Sequence, residues 1–388
     1  MTEAGVAEEL PTEPIGYLKV VTLGESTLSA EELTSIAGNL ANGAVIDLGE
    51  ATFATTEFPM DFARKTNLQE IALPRNIQTF ASEAYSGAFY NCTNLKRVTL
   101  PEGLTAIGAN CFRQCSQLES IELPSSVRTL DIYAFYGCKL LTSVVIPEGV
   151  EAIPRFIFDS CTALTDVTLP STLKSIGTEA FEATGLKEIT IPESVTSVEA
   201  AVFKNCKSLE RIQFPDALTA IPANLCNACS ALTTINMPSK LETVGNDAFY
   251  NCGKLQDVTF PETLKSLDER SFGGCSAFTR IIIDIPAIAN YAFWNCANVT
   301  SIDLGEKVTS IGRNAFISAS NLQTITCRAE NAPSLGSTAF GSAGSKVEGA
   351  KILYVPAASY DAYETAWTDV TSQGYALQDI NDQQLTDG

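Results

Sequence analysis

Residues 118–140 read LESIELPSSVRTLDIYAFYGCKL, and the fold prediction rests on this 23-residue stretch. Its pattern is L-x-x-I-x-L-P-x-x-L-x-x-I-x-x-x-A-F-x-x-C, and the next copy begins directly at Leu141. A fixed period in this length range is the sequence signature of a stacked repeat solenoid. One unit is too small to bury its own apolar side, so neighbouring units must stack to create the core.

The repeats occupy residues 68–350, and most of them start 23 residues apart. We identify twelve by their leading apolar residue: Leu68, Leu95, Leu118, Leu141, Leu164, Leu186, Leu209, Leu232, Leu255, Phe278, Val299 and Leu322. The first interval is 27 residues because of extra residues at 81–87. Insertions in a solenoid lie in loops on one face, so this one predicts a protrusion.

Each repeat divides into a strand and a turn. Ile121 and Leu123 alternate with Glu122, which predicts a strand with the apolar residues inward and the glutamate in solvent. Pro124 lacks a donor and closes that strand. The spacing of Ala134, Phe135 and Cys138 fits one side of a short helical or 3-10 turn. The prediction is one parallel sheet with short helical turns opposite it.

The two ends differ from the repeats. We predict a disordered acidic lead at 1–14, a βαβ-like cap at 15–67, and a strand–helix cap with a tail at 351–388. In the first cap, Ser29 and Glu32 form a capping box, and Gly43 should stop the helix before a strand at 44–48. The helical face there consists of Leu33, Ile36, Ala37 and Leu40. In the second cap, residues 359–367 predict an amphipathic helix.

Composition excludes several classes of function. The net charge is -20 and the pI is about 4.4, which argues against nucleic acid and anionic membranes as partners. The chain has no apolar run long enough to span a bilayer. It has no histidine, the commonest general base and metal ligand. The start is polar, so we expect either a cytoplasmic protein or one whose leader is missing from the sequence.

The twelve cysteines are best explained by packing. Nine share one repeat position: Cys92, Cys115, Cys138, Cys161, Cys206, Cys229, Cys252, Cys275 and Cys296. Thr184 and Ala319 fill the same position elsewhere, which indicates a tight buried slot where free cysteine acts as a small hydrophobe. Paired disulfides between neighbouring repeats are the alternative. The close pair Cys226 and Cys229 lacks the further ligands that zinc needs, so we predict no metal site.

Two sets of side chains are candidate contacts. The central outward row of the sheet is Thr99, Glu122, Val145, Thr168, Thr190, Gln213, Asn236, Thr259, Ile282 and Asp303. The residue after the repeat phenylalanine is aromatic at Tyr90, Tyr136, Tyr250 and Trp294. A row of threonines can also serve only strand formation and solubility, and the aromatics can pack on the outer turn. Scattered acids such as Asp166 and Glu188 form no catalytic motif.

With these repeats, the chain resembles the BspA-type (Treponema pallidum-type) leucine-rich repeat family, over about residues 68–367. Residues 352–367, ILYVPAASYDAYETAW, are also similar to the C-terminal end of many Bacteroidetes members of this family. The resemblance implies a right-handed leucine-rich repeat solenoid, a secreted or surface-attached location, adhesion to host or bacterial partners, and no catalytic residues. No cofactor is expected.

We predict that the chain functions in non-catalytic protein binding or adhesion at a bacterial cell surface. We also predict that it is a monomer. The partner would be a host or bacterial surface protein, or alternatively a glycan held by the polar row and the aromatics. A structural scaffold and an enzyme such as a glycosidase are further alternatives.

Overall fold

The protein, represented by a computed structural model that describes residues 3–5, 13–23 and 26–385, is a parallel β-solenoid of about 16 turns. The chain divides into two compact units, Met1–Val198 and Glu199–Gly388. Most turns of the solenoid, which we also call coils, contribute a face strand, a second shorter strand and a turn stretch. We call this last part, from just before the repeat alanine to the repeat cysteine, the turn stretch.

In the first unit the face strands pair side by side in parallel, because the repeat period brings equal positions next to each other. Glu70 lies opposite Arg97, and Ser143 opposite Asp166. The strands are Glu3–Gly5, Ile15–Val21, Leu40–Asp47, Leu68–Ala72, Arg97–Thr99, Ser120–Ile121, Ser143–Val145, Asp166–Thr168 and Glu188–Thr190. A continuous six-stranded sheet ends at Ser120–Ile121, and a separate pair follows it.

The second unit repeats this arrangement with one interruption. Its face strands are Arg211–Gln213, Thr234–Ile235, Arg280–Ile283, Ser301–Leu304, Thr324–Cys327, Lys351–Val355 and Tyr375–Asp379. The coil that starts at Leu255 has no face strand. There the carboxylate of Asp257 accepts the backbone N–H groups of Thr279 (2.7 Å) and Arg280 (3.2 Å), so a side chain replaces part of the ladder.

A second row of two-residue strands runs beside the face strands. In the first unit these are Glu57–Phe58, Thr79–Phe80, Ala106–Ile107, Thr129–Leu130, Ala152–Ile153, Ser175–Ile176 and Ser197–Val198. In the second they are Ala220–Ile221, Thr243–Val244, Ser266–Leu267, Ala287–Ile288, Ser310–Ile311 and Ser334–Leu335. The predicted protrusion is an antiparallel hairpin of Ser82–Glu83 and Ser86–Gly87.

The turn stretches are not helical, which corrects the predicted helical or 3-10 turns. Between Asn39 and Pro356 the structure has no helix. Cys138 N–H donates to the Phe135 carbonyl within the turn, whereas Phe135 N–H donates to Ile157 of the next coil. Tyr133 (φ 59°) and Gly137 (φ 72°) adopt left-handed backbone, which points alternate N–H groups at the neighbouring coil. Stacking therefore replaces the hydrogen bonds that a helix would make within itself.

The core of each unit is a column of stacked phenylalanines. In the first unit Phe89, Phe112, Phe135 and Phe158 follow one another with ring centroids 5.4 Å apart. In the second, Phe293 and Phe316 stack at 5.4 Å, and the column ends on Trp367. These rings are almost completely buried, so each coil completes the core of its neighbour.

Strands of the two end segments join the parallel ladder, which raises the count from twelve repeats to about 16 turns. The backbone N–H and C=O groups at a sheet edge need hydrogen-bond partners, and the strands of the end segments supply them. Within the predicted disordered lead, Glu3–Gly5 pairs with Ile15–Val21, while residues 1–2 and 6–12 lie outside the described residues. The predicted βαβ-like segment consists of Ile15–Val21, helix α1 (Ala30–Gly38) and Leu40–Asp47.

The helices at both ends of the chain are fixed by specific contacts. The predicted capping box of Ser29 and Glu32 is confirmed, but α1 ends at Gly38 rather than at Gly43, and Leu40 already belongs to the next strand. Beyond the repeats follow a 3-10 turn (Ala357–Ser359), α2 (Tyr360–Ala366), α3 (Thr368–Thr371) and a 3-10 segment (Ile380–Leu385). Trp367 donates its indole N–H to the carbonyl of Pro333 at 2.8 Å.

Candidate functional site

The predicted outward row lies on the face strands, which we call the sheet face. Inward residues such as Val98, Ile121 and Val144 are buried, and the alternate residues point to solvent. Eight members of the row are exposed: Thr99, Glu122, Val145, Thr168, Thr190, Gln213, Thr259 and Ile282. Val145 is 63% exposed and Ile282 is 52% exposed, which is unusual for aliphatic side chains. Each unit therefore has one exposed aliphatic side chain of this row among polar neighbours.

Two members of the row are already engaged within the fold. Asn236 accepts the backbone N–H of Phe214 at 2.6 Å and donates to the Phe214 carbonyl at 2.9 Å. Asp303 receives a bidentate pair of hydrogen bonds from Arg328, at 3.0 and 2.8 Å. A short polar side chain can reach the backbone or a cation of a neighbouring coil. Both residues are half-buried and stabilise the sheet rather than presenting free groups.

A depression of about 560 Å³ opens on the sheet face of the first unit. It lies where the strands Arg97–Thr99 and Ser120–Ile121 end, so that the backbones beyond them are no longer paired. Thr99 and Glu122 of the predicted row line it, together with Arg97, Glu102 and Ser120. The mixture of charge and hydroxyl groups suits a polar ligand segment.

The four predicted aromatic contacts are half-buried and lie on the turn stretches. Tyr250 and Trp294 stack with centroids 5.9 Å apart and planes inclined by 13°. Gly273 occupies the equivalent position in the coil between them, where a Cβ atom would meet the Tyr250 ring at 3.1 Å. Because this position has no side chain, the rings of Tyr250 and Trp294, which are two coils apart, can approach each other.

Tyr90 and Tyr136 belong to a larger cluster that includes residues missed by the sequence analysis. Arg113 lies between them and also over Tyr133, with its guanidinium carbon 6.0, 5.2 and 4.7 Å from the three ring centroids. Arg64 lies over Tyr90 at 5.6 Å. The sequence contained a signal for Arg113, because this residue is 23 residues from both Tyr90 and Tyr136. It therefore occupies the same repeat position as the two tyrosines, one coil away from each.

All twelve cysteines are buried, and none forms a disulfide. The thiols of Cys115, Cys138 and Cys161 donate to phenylalanine carbonyls of preceding coils at 3.1, 3.2 and 3.1 Å. Burial raises the pKa of Cys92 and of Cys296 to about 12. A protonated, inaccessible thiol is a poor nucleophile and a poor metal ligand, so the column is a packing element.

One group of three carboxylates comes together in the first unit. The ligand atoms of Asp159, Glu179 and Glu182 lie within 4.8 Å of one another. The hydroxyl of Ser160 already donates to Asp159 at 2.8 Å, so this carboxylate has a partner within the protein.

Among the residues that the structure describes, no helix is long and apolar enough to cross a membrane.

Comparison with known proteins gives the same architecture. A model of the BspA-type leucine-rich repeat region matches residues 59–166, 83–210, 129–255 and 242–350. No curated protein sequence matches significantly. A leucine-rich cell surface protein from Faecalibacterium prausnitzii is 28% identical, with 74% of this chain and 88% of that chain covered and a TM-score of 0.49.

Two further solved structures are similar at lower identity. A leucine-rich repeat protein from Bacteroides ovatus is 23% identical, with 80% of this chain and 92% of that chain covered and a TM-score of 0.47. The pneumococcal vaccine antigen PcpA is 16% identical, with coverages of 97% and 90% and a TM-score of 0.43. Because the family model matches most of the chain, over the coils that form both units, this protein belongs to the BspA-type leucine-rich repeat family.

Proposed function

We propose that the chain is a non-catalytic protein-binding module that acts in adhesion at a bacterial cell surface. The observation that carries this proposal is the sheet face, where the outward row is exposed in each unit and interrupted by Val145 and Ile282. A preformed sheet loses little conformational entropy when it binds, so many weak contacts can add up to useful affinity. Apolar side chains within a polar surface are natural anchors for a partner protein.

The first test measures binding of the whole chain to immobilised fibronectin and laminin and to cultured epithelial cells. We expect saturable binding that falls about tenfold when Val145→Arg and Thr168→Arg are combined, since anchors of this kind contribute about 1–2 kcal/mol. Leu140→Arg combined with Leu23→Arg, at two exposed positions outside the row, serves as the charge-matched control. Undiminished binding by the double variant would refute the sheet face as the contact surface.

The location at the cell surface is tested separately by adding protease to intact cells of the source bacterium. Cleavage of this protein while a cytoplasmic marker survives supports the proposal. Full protection of the protein on intact cells would contradict it. The support for this location is the family and the similar Faecalibacterium protein, which is described as a cell surface protein.

A glycan is the second candidate ligand, and the Tyr250–Trp294 pair favours it. Stacked rings at a surface leave outer faces on which the C–H side of a sugar can pack. A glycan array should then show saturable binding that Trp294→Ala abolishes and Val145→Arg leaves unchanged. The opposite pattern would exclude the aromatic pair as a sugar site.

A further inference from the structure

The turn stretches of the first unit carry a group that we call the arginine–tyrosine cluster: Arg64, Tyr90, Arg113, Tyr133 and Tyr136. Neither arginine forms an ion pair with any carboxylate in the described part of the chain, although acids outnumber bases by 20 overall. Here ring faces hold them instead, which keeps their charge available to a ligand.

The polar groups left free in the cluster are all potential donors. Arg113 donates one N–H to the side chain of Asn110 at 3.1 Å, while its buried Nε has no partner. The hydroxyls of the three tyrosines make no hydrogen bond to described residues. Guanidinium and phenol donors in one cluster are complementary to an oxyanion, above all to a carboxylate.

The ring faces are less available than the donors. Tyr90 is covered by Arg64 and Arg113, and Tyr133 stacks on Phe156 with centroids 4.8 Å apart. Stacking of a sugar or a base on these faces is therefore disfavoured. A long polyanion is also disfavoured, because the net charge of -20 would repel it beyond the two arginines. A short acidic segment of a protein satisfies both conditions.

The hairpin beside the cluster adds an apolar contact. Tyr85, at its tip, is 82% exposed. Buried Asn110 donates to the Glu83 carbonyl at 3.3 Å and accepts from Arg113, so it links the hairpin to the cluster. A Cβ atom at Gly87 would lie 2.7 Å from the Ala109 carbonyl oxygen, which shows how closely the hairpin is seated. Tyrosine and arginine, with tryptophan, are the residues most enriched among the hot spots of protein interfaces.

We propose that the arginine–tyrosine cluster and the Tyr85 hairpin form a second protein-docking site, which binds a short partner segment that carries carboxylates next to an apolar side chain. Arg64 and Arg113 pair with the carboxylates, and Tyr85 packs on the apolar neighbour. This site is separate from the sheet face and does not depend on the function proposed for that face.

The test uses the whole chain and a ten-residue peptide with four glutamates and two leucines in a Gly/Ser background, labelled with a neutral dye. Fluorescence anisotropy at low salt should show saturable binding that weakens as salt is added. Arg64→Gln and Arg113→Gln should each weaken binding about tenfold, as expected for charge-assisted hydrogen bonds. Tyr85→Ser should weaken it about threefold, by loss of the apolar contact.

Arg128→Gln is the matched control, because it removes an exposed arginine of the same unit that donates only to backbone carbonyls. It should bind as the unmodified chain does. Arg64 is exposed, so Arg64→Gln tests the site even if Arg113→Gln impairs folding. Any one of three results overturns the proposal: equal binding of a peptide with glutamine for glutamate, equal losses with Arg128→Gln, or binding of a uronic-acid oligosaccharide but not of the peptide.

Discussion

At the scale of single residues, the cysteine slot shows why a thiol recurs. The slot is closed by the stacked coils, and the thiol donates to a backbone carbonyl of a preceding coil at Sγ–O distances from 2.9 to 3.4 Å. The acceptor is usually a phenylalanine, but for Cys252 it is Cys226, which replaces the repeat phenylalanine. Thr184 fills the slot in one coil and donates its hydroxyl to the Phe181 carbonyl at 3.0 Å. The slot therefore accepts small side chains and favours those that can donate, which alanine and valine cannot do.

Cys138→Ala should lower the free energy of unfolding by about 1–2 kcal/mol, because it leaves a small cavity and removes the thiol donor to Phe112. Chemical denaturation with urea measures the change. Leu140→Ala is the control in the same coil, where a larger but exposed side chain is truncated. It should cost less than about 0.5 kcal/mol, and a greater loss there than at Cys138 would contradict the packing role.

Two exposed carboxylates make stability depend on pH. Glu148 accepts the backbone N–H and the hydroxyl of Ser171, both at 3.0 Å, and these bonds lower the pKa of its carboxyl. Asp216 makes the same pair of bonds to Ser239, which lowers its pKa as well. A pKa lowered by folding adds stability at neutral pH that is lost as the pH falls through the folded-state value.

We therefore expect the melting temperature to fall as the pH is lowered from about 6 to 3, across the ordinary carboxyl range. Combining Glu148→Gln with Asp216→Asn should make this fall shallower, as measured by circular dichroism at each pH. Glu119→Gln is the control, since its side chain makes no hydrogen bond to a described residue. A slope that the double variant leaves unaltered would contradict this account.

At the scale of the element, Gly177 and Gly245 mark places where neighbouring coils approach each other closely. Gly177 lies so close to the preceding coil that a Cβ atom would be 2.6 Å from the backbone nitrogen of Arg155. Gly245 has the same relation to Ala223 at 2.7 Å in the second unit. The obstacle in each case is backbone rather than a flexible side chain, so the coils would have to separate.

Gly177→Ala should destabilise the protein by about 2 kcal/mol, as overpacking against an immobile backbone does. Gly103→Ala provides a matched control, because nothing lies within 4 Å of its Cβ position. That substitution should change stability by less than about 0.5 kcal/mol. Equal effects of the two substitutions in thermal melts would show that close coil contact is unimportant at Gly177.

At the scale of the whole molecule, the twelve thiols report on opening of the coils. All are buried, and burial raises the pKa of those with a resolved shift, so native thiolate is scarce. Ellman's reagent should label almost none in the native protein at pH 8 and all twelve in guanidinium chloride. Rapid labelling of several thiols without denaturant would mean that some coils open well below the global unfolding energy.

Repeat spacing made much of this fold predictable. The period of residues 118–140 fixed which side chains stack, so the parallel sheet, the cysteine column and the outward row followed from one unit. The turn geometry did not follow, because the spacing of Ala134, Phe135 and Cys138 fits a helical turn as well as two successive β-turns. Only the hydrogen bonds to the next coil distinguish the two.

The candidate binding residues were also predictable only in part. Sequence placed Thr168 and Val145 outward, and they are exposed. The sequence could not show that Asn236 is hydrogen-bonded to Phe214, or Asp303 to Arg328. These partners depend on which groups lie within hydrogen-bond distance of each side chain in the folded protein.

The repeat, the family and the alternation of buried and exposed positions could be predicted from the residues alone. The reason is that a short repeat can bury its apolar side only by stacking against equivalent repeats. Tertiary structure alone decided where the sheet is interrupted, which polar side chains are free, and how two arginines came to lie among tyrosines without a carboxylate. Those outcomes depend on distances between neighbouring coils, and a list of residues does not contain such distances.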